Sequence, residues 1–466
     1  MDSTTDYKSY DYFKYSILKY QEGKLFDDNL ENQHIDNSIS LTDEERKEFI
    51  LKYKEEYDKI LIEVKKYKLK KDILDENTSK EHKSDEIPSQ RLERITISQR
   101  KETALTILLL KKTGKLYKTF LDSYIEANVF YKKKDKRLRL EPSNSRCLVS
   151  CDNRLKMLTR YLKDNVFEQV FLSGKVNTNI NRVKKCYITY ENHRGETIRK
   201  LRFENISNIA CTIHKTNNKF MLLDLSNAFN NVYYNFLYEV LNHYLDDEIF
   251  SEGITNLIRN IKYYDPKLKL RIKRNKGIPQ GSSISTDIFV LCMDYISKQI
   301  IKELKDKLDL KYNVDYKMII YVDDILILFK NPKAENLCMD MFKIFETQFD
   351  KYNFILNAKK SKCSPGLPNC SLDVIKDSDK YLGVYFNRDL DTYLTYLDEE
   401  IKIKSLLNGM ITSLNDCETY FDELTVKNKM YLIGKLRYRL SPFVKENITM
   451  SQVLQRYNNI SKLFSV

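Results

Sequence analysis

The stretch Ile319-Ile320-Tyr321-Val322-Asp323-Asp324-Ile325-Leu326-Ile327-Leu328 sets two adjacent carboxylates between two apolar runs. Met318 to Val322 and Ile325 to Phe329 each read as a buried strand, so the Asp pair is expected in a tight strand–turn–strand. Asn-Gly or Asp-Gly would make the easier turn, because those residues reach positive φ at low cost. Two like charges side by side call for a positive partner. An ordinary hairpin with a solvated acidic tip is one reading. A divalent cation is the other, since adjacent carboxylates supply hard oxygen ligands for Mg²⁺.

A second strand weights the choice. After Lys219, the stretch to Leu225 is apolar except for Asp224 near its end, just before Ser226-Asn227-Ala228-Phe229. A buried carboxylate with no partner is costly. Set beside Asp323 and Asp324, Asp224 would complete a cage for two metal ions, roughly 3.5–4 Å apart in such sites, that clamp the attacking and leaving oxygens of a phosphoryl displacement.

Asp-Leu-Ser-Asn-Ala-Phe at 224–229, Gly-Ile-Pro-Gln-Gly-Ser at 277–282 and Tyr-Val-Asp-Asp at 321–324 resemble the palm motifs of reverse transcriptases, in that family's order. The resemblance continues through Leu356 to Lys362 and Lys380-Tyr381-Leu382-Gly383-Val384, about half the chain. Its flavour is closest to non-long-terminal-repeat, group II intron and retron-like enzymes.

The resemblance implies an α+β right-hand polymerase fold with fingers, an antiparallel-sheet palm and a helical thumb. The expected division is a helical N-terminal extension and linker over 1–90, fingers over 91–155, palm over 156–390 and thumb over 391–466. It implies RNA-directed DNA polymerase activity, with dNTPs added to a primer 3′ end by two Mg²⁺ ions, or Mn²⁺ in their place. Asp224, Asp323 and Asp324 become the catalytic metal ligands, and Leu225 next to Asp224 is counted into the metal set. Lys360 becomes the residue that protonates the leaving pyrophosphate, with Lys359 and Lys362 as rivals. Lys133, with Lys132 or Lys134 as alternatives, and Arg146 become the triphosphate contacts on a fingers hairpin. Phe229 becomes the ring that excludes a 2′-hydroxyl, and Gln280 and Gly281 line the nucleotide. Tyr381, Leu382 and Gly383 form the primer grip. One departure stands at Asn230, where many relatives carry Asp; it removes a salt bridge or cap and no metal ligand.

The residue types suit these roles. An incoming triphosphate needs cations around it, and Arg offers a planar, bidentate phosphate contact where Lys offers a point charge. Pro279 stiffens its turn, and Gly281 would let backbone come close to a nucleotide. Taken singly, each motif has a plain structural reading: Phe229 as core, Lys359 to Lys362 as a solvated run, Pro-Gln-Gly as a linker.

Composition sets outer bounds. The chain has 466 residues, 42% hydrophobic, with a formal charge of +13. A basic balance suits a nucleic-acid partner, an RNA or DNA template with its primer; part of it follows from Lys-, Asn-, Ile- and Tyr-rich usage. No apolar run reaches membrane-span length and the N-terminus does not read as a signal peptide. Nine cysteines are scattered. Cys363 and Cys370 come closest to a pair, but nothing in the sequence completes a zinc set, so reduced core thiols in an intracellular protein are expected.

Along the chain, Thr42 and Glu45 form a capping-box pattern that starts a helix to about residue 69, with Phe49, Ile50, Tyr53, Tyr57, Ile60 and Ile62 on one face. Residues 75–91 read as a linker, and 173–218 as longer than a minimal polymerase needs. No RNase H, integrase or endonuclease pattern is read. The short interval from Asp224 to Gly281 disfavours a telomerase, whose insertion there is long. Other readings kept open are a palm-type RNA-dependent RNA polymerase, which Phe229 argues against, a template-independent nucleotidyl transferase, and a binding protein with a retained palm.

Overall fold

A computed structural model describes residues 37–67, 88–124, 126–133, 145–191, 197–203, 206–265, 270–274 and 276–389, with 392–393, 395–396, 438–439 and 442. Most of the expected thumb, 391–466, and most of the expected linker lie outside them. The elements that position the site run as follows: α1 (Asp43–Lys52), α2 (Lys54–Lys65), α3 (Pro88–Thr113), β1 (Glu126–Lys133), β2 (Ser145–Cys151), α4 (Asn153–Leu162), β3 (Lys184–Glu191), β4 (Thr197–Phe203), β5 (Phe220–Ser226), α5 (Tyr234–Leu245), α6 (Glu248–Arg259), β6 (Lys262–Asp265), β7 (Leu270–Lys273), α7 (Ser285–Leu308), β8 (Tyr316–Tyr321), β9 (Asp324–Phe329), α8 (Cys338–Lys351), β10 (Lys362–Cys363), β11 (Asp373–Val374), β12 (Lys380–Tyr381) and β13 (Val384–Tyr385). They fall into two compact units. One is drawn from Met1–Asn177, Ser226–Ser297 and Gln348–Ile355, the other from Thr178–Leu225, Lys298–Thr347 and Leu356–Val466.

In the first unit, the Thr42–Glu45 capping box is formed on both sides, and α1 starts there. The helix does not run on as expected. It breaks at Tyr53, and only α2 buries a face, through Tyr57, Ile60 and Val64, while Ile62 is exposed. The expected linker ends early, because α3 starts at Pro88, whose fixed φ suits a first helical turn. Ala104, Leu105 and Ile107 to Leu110 of α3 are fully buried. A sheet in the order β2-β1-β6-β7 follows, with β1 and β2 antiparallel and β1 and β6 parallel. Asp152 caps α4 by accepting from the N–H groups of Arg154 and Leu155. Asp294, fully buried on α7, accepts from the Tyr244 hydroxyl at 2.5 Å and the Asn177 N–H at 2.9 Å.

In the second unit, the sheet runs β8-β9-β5-β10-β11. β9 is an interior strand, paired antiparallel on both sides. Ile325 to Phe329 are therefore all buried, which explains an unbroken apolar run where an edge strand would alternate. On one face Ile209, Ile213, Phe220, Ile319, Leu326, Leu328, Ile375 and Phe386 pack together. The outer edge of β8 is met at Ile320 by the segment Ile180 to Arg182, through Ile320 N–H to Ile180 O (2.8 Å) and Arg182 N–H to Ile320 O (2.9 Å). The hairpin β3–β4 occupies the long interval before Asp224. Among the described residues no helix is long and apolar enough to cross a membrane.

Candidate active site

The hairpin β8–β9 carries the Asp pair, with its turn one residue earlier than the sequence suggests. Tyr321 pairs with Asp324, so the two loop residues are Val322 and Asp323, and Asp324 already belongs to β9. Val322 takes φ 60, a left-handed value that a β-branched residue rarely adopts. Such strain costs on the order of 1–3 kcal/mol and persists only where the surroundings impose it. Here the imposing feature is register. Asp324 stands directly opposite Asp224, followed by Ile325 opposite Leu223 and Leu326 opposite Leu222. A one-residue shift of β9 against β5 would take Asp324 out of its pairing with Asp224.

Asp224 and Asp324 are thus a directly paired carboxylate couple at one end of the sheet. Asp224 is fixed by its backbone: its N–H donates to Ser361 Oγ at 3.2 Å and its C=O accepts from Asn357 N–H at 2.8 Å. Ser361 is fully buried, so the segment after Leu356 is anchored under the Asp. Lys360 lies beside it, Nζ 3.9 Å from Asp224 Oδ2. Its rival Lys362 is held by Asp379 at 2.6 Å. Burial raises the Asp379 carboxyl, but Lys362 and Lys376, the latter through its N–H, together hold it below its usual range. Asp323 sits half-buried in the turn. Among the described residues no three His, Cys, Asp or Glu side chains form a group that could hold a metal ion. The two carboxylates that strand register sets side by side are Asp224 and Asp324.

The hairpin β12–β13 closes the same cleft, which Asp224, Asp324, Lys360, Lys380, Tyr381 and Leu382 line together. Its loop residues Leu382 (φ 46) and Gly383 (φ 84) both have positive φ, the signature of a type I′ turn. The Tyr438 hydroxyl donates to Leu382 O, and His214 Nε2 donates to Tyr385 O at 2.7 Å. Tyr381 is 4% exposed, and its hydroxyl has no hydrogen-bond partner. Burial first, then the charge of Asp324, holds this phenol protonated well above its ordinary range. No sequence signal marks Tyr381 as carrying an unsatisfied donor, since that follows only from its surroundings.

Leu225 is buried in β5 beside Asp224; the expected nucleotide contacts belong to the first unit. Phe229 sits in a short 3₁₀ turn, Ala228–Asn231, entered through Asn227 at φ 49. Its ring stacks on Phe289 of α7 (4.5 Å, 18°) and its C=O accepts from Ile278 N–H at 2.9 Å. Gly277 N–H bonds Val232 O at 2.7 Å, so the Gly-Ile-Pro-Gln-Gly loop is stitched to the turn that carries Phe229. Asn230 Oδ1 accepts from the buried Arg274 at 3.4 Å. Asp at this position would give Arg274 an ion pair, which is the interaction the Asn forgoes.

Gly281 has φ +117, and a Cβ added to it would stand 2.3 Å from Val149 O. The close approach it permits is therefore to the backbone of β2, where Val149 N–H also donates to Gln280 O at 2.8 Å. Gly281→Ala should open this junction and destabilise the protein by upward of about 1 kcal/mol. An unchanged thermal midpoint for that variant would contradict the assignment. On the hairpin β1–β2, Lys132 stands opposite Arg146, and Lys133 opposite Ser145.

Three comparisons bear on these observations. The family model described as "Reverse transcriptase (RNA-dependent DNA polymerase)" matches residues 131–386. No curated protein matches the sequence. Solved structures similar to the chain include telomerase from Candida albicans in complex with a fragment of telomeric RNA, with TM-score 0.40 and 11% identity over 74% of this chain and 62% of that one. They also include apo telomerase from Candida tropicalis, with TM-score 0.35 and 12% identity over 73% of this chain and 67% of that one. A C-terminally truncated form of the latter gives 0.33 and 13% over 53% and 51%. The chain spans less than two thirds of the first and third of these.

Proposed function

This chain belongs to the reverse transcriptase family, with that family's right-hand α+β fold, and we propose that it is an RNA-directed DNA polymerase that extends a primer with dNTPs by metal-assisted nucleotidyl transfer. The observation that carries the reading is the direct pairing of Asp224 with Asp324 at the end of a central, buried sheet, with Lys360 beside them. A polymerase site does not need an all-protein cage, because Mg²⁺ is held by one or two carboxylates together with substrate phosphates and water. Asp224 and Asp324 supply the two, and Asp323 in the adjoining turn is within one residue of joining them. The ions, when bound, neutralise triphosphate charge and align the reacting oxygens.

The chain's own groups take the remaining roles. Lys360 holds a proton near the carboxylates, where a departing pyrophosphate needs one. The Leu382–Gly383 turn faces the same cleft and is placed to hold primer backbone. Lys132 or Lys133 with Arg146 answers the triphosphate. Phe229 answers the sugar. Two features favour this over RNA synthesis or binding alone: an aromatic at 229 where a ribose-accepting site wants a polar group, and carboxylates retained at 224, 323 and 324. The short Asp224–Gly281 interval supports a member without the long telomerase insertion.

The test is primer extension on defined RNA and DNA templates with dNTPs or rNTPs, each with Mg²⁺, with Mn²⁺ and after chelation. We expect dNTP addition on an RNA template that stops on chelation and returns when the ion is restored. Addition that survives chelation, or equal use of rNTPs, would refute the assignment.

A further inference from the structure

Three cysteines far apart in sequence meet in the second unit, away from the carboxylate couple. Cys338 opens α8, Cys363 ends β10, and Cys370 lies in the short connection from β10 to β11. The Cys338 thiol donates to Pro368 O at 3.2 Å, and the Cys363 thiol to Leu372 O at 3.5 Å. Those two carbonyls flank Cys370 on either side, so both thiols converge on its loop. Burial first, and then the neighbouring Cys370, push the Cys338 and Cys363 thiols up to about 12. Ser371 Oγ reaches Met339 Sδ at 3.7 Å and adds a contact between the loop and the start of α8. Cys338 and Cys363 are buried, whereas Cys370 is half-exposed, next to exposed Asn369.

Plain core packing accounts for two buried thiols. It does not account for a third, solvent-reachable thiol held against both of them. Thiols brought onto one loop, one of them reachable from solvent, are suited to thiol–disulfide exchange. We propose that Cys370 and Cys338 form a reversible disulfide site, with Cys370 the thiol that meets a small disulfide oxidant and Cys338 the thiol that resolves it. Cys370 loses its proton to solvent and attacks one sulfur of the oxidant, breaking the oxidant's S–S bond and releasing one thiolate. Cys338, deprotonated in turn, attacks the Cys370 sulfur and expels the second thiolate. Two protein thiols are oxidised to one disulfide, and the oxidant is reduced to two thiols. Cys338 is the resolving partner because it opens α8 with its thiol on Pro368 O at 3.2 Å, two residues before Cys370. Cys363 is fixed in a strand paired on both sides.

The chemistry concerns the kind of small disulfide that an intracellular thiol pool supplies, and it is independent of the polymerase reading. The test uses the folded full chain, treated with oxidised glutathione, then alkylated in denaturant and digested without reduction. Mass spectrometry should find a peptide joining Cys338 to Cys370, with Cys363 alkylated. The link should persist in Cys363→Ser, vanish in Cys370→Ser, and disappear on reduction. A Cys363–Cys370 link, glutathione left on Cys370 without resolution, or no modification of Cys370 would each overturn the proposal. Circular dichroism of each variant before treatment confirms that the folded chain is being tested.

Discussion

Asp224→Asn should lower dNTP incorporation by about 10³-fold or more while the protein stays folded, since losing a single preorganised electrostatic group in a catalytic site already costs roughly 10²–10³. The substitution keeps the side chain's shape and removes its charge. The backbone bonds that fix Asp224, to Ser361 Oγ and from Asn357, do not involve its carboxylate. The ion pair with Lys360 spans 3.9 Å with the lysine 63% and the aspartate 38% exposed. A pair this exposed contributes a fraction of a kcal/mol at most, so broken pairing cannot produce a loss of this size. Asp324→Asn should behave alike, because register makes the two residues a couple. Single-turnover extension separates the chemical step from primer binding, and primer affinity should change far less than rate. If either variant kept activity within about tenfold of the parent, against the loss expected for a removed electrostatic group, that residue would not be a metal ligand. If both lost primer binding in proportion to rate, the couple would serve binding and the polymerase reading would weaken.

Much of the site could be read from the chain because β5 and β9 announce themselves by composition. Runs such as Phe220-Met221-Leu222-Leu223 and Ile325-Leu326-Ile327-Leu328 are affordable only at the centre of a buried sheet, and a carboxylate ending each run must sit at that sheet's end. What stayed hidden depends on contacts between distant segments. The turn moved from Asp323-Asp324 to Val322-Asp323 because pairing with β5 outweighs local turn preference, at the expense of positive φ in a valine. Gly281 was legible as a close approach, but the neighbour is Val149 O, which no local signal identifies. The register that sets Lys132, and not Lys133, opposite Arg146 depends on where β1 and β2 begin to pair. Cys363 and Cys370 could be seen as an incomplete pair; the residue that completes the cluster, Cys338, enters from a helix on another part of the same unit. The units themselves interleave along the chain, whereas the domains expected from sequence were continuous.

Phe229→Ala should raise the use of rNTPs relative to dNTPs by roughly ten- to two-hundred-fold, the scale on which a hydrophobic pocket rejects one small group, about 1–3 kcal/mol. The ring is held from one side by Phe289, stacked at 4.5 Å, and its own backbone is tied to Ile278. It is half-buried, so part of it remains open to a ligand. A ring fixed in this way can reject a 2′-hydroxyl, because the hydroxyl would exchange water for carbon and the ring cannot retreat. The same stacking means that truncation also loosens the support on α7 and lowers overall activity. The ratio distinguishes the two effects: lost packing lowers dNTP and rNTP use together, while a lost gate raises rNTP use against dNTP use. Phe289→Leu serves as the control, since it weakens the support beneath the ring and leaves the ring in place; its rNTP-to-dNTP ratio should move much less than that of Phe229→Ala. Steady-state kcat/KM for matched dNTP and rNTP pairs, with thermal midpoints for both variants, settles the matter. An unchanged ratio in Phe229→Ala with a lowered midpoint would assign the ring to packing alone, and discrimination between the sugars would then have to come from another residue.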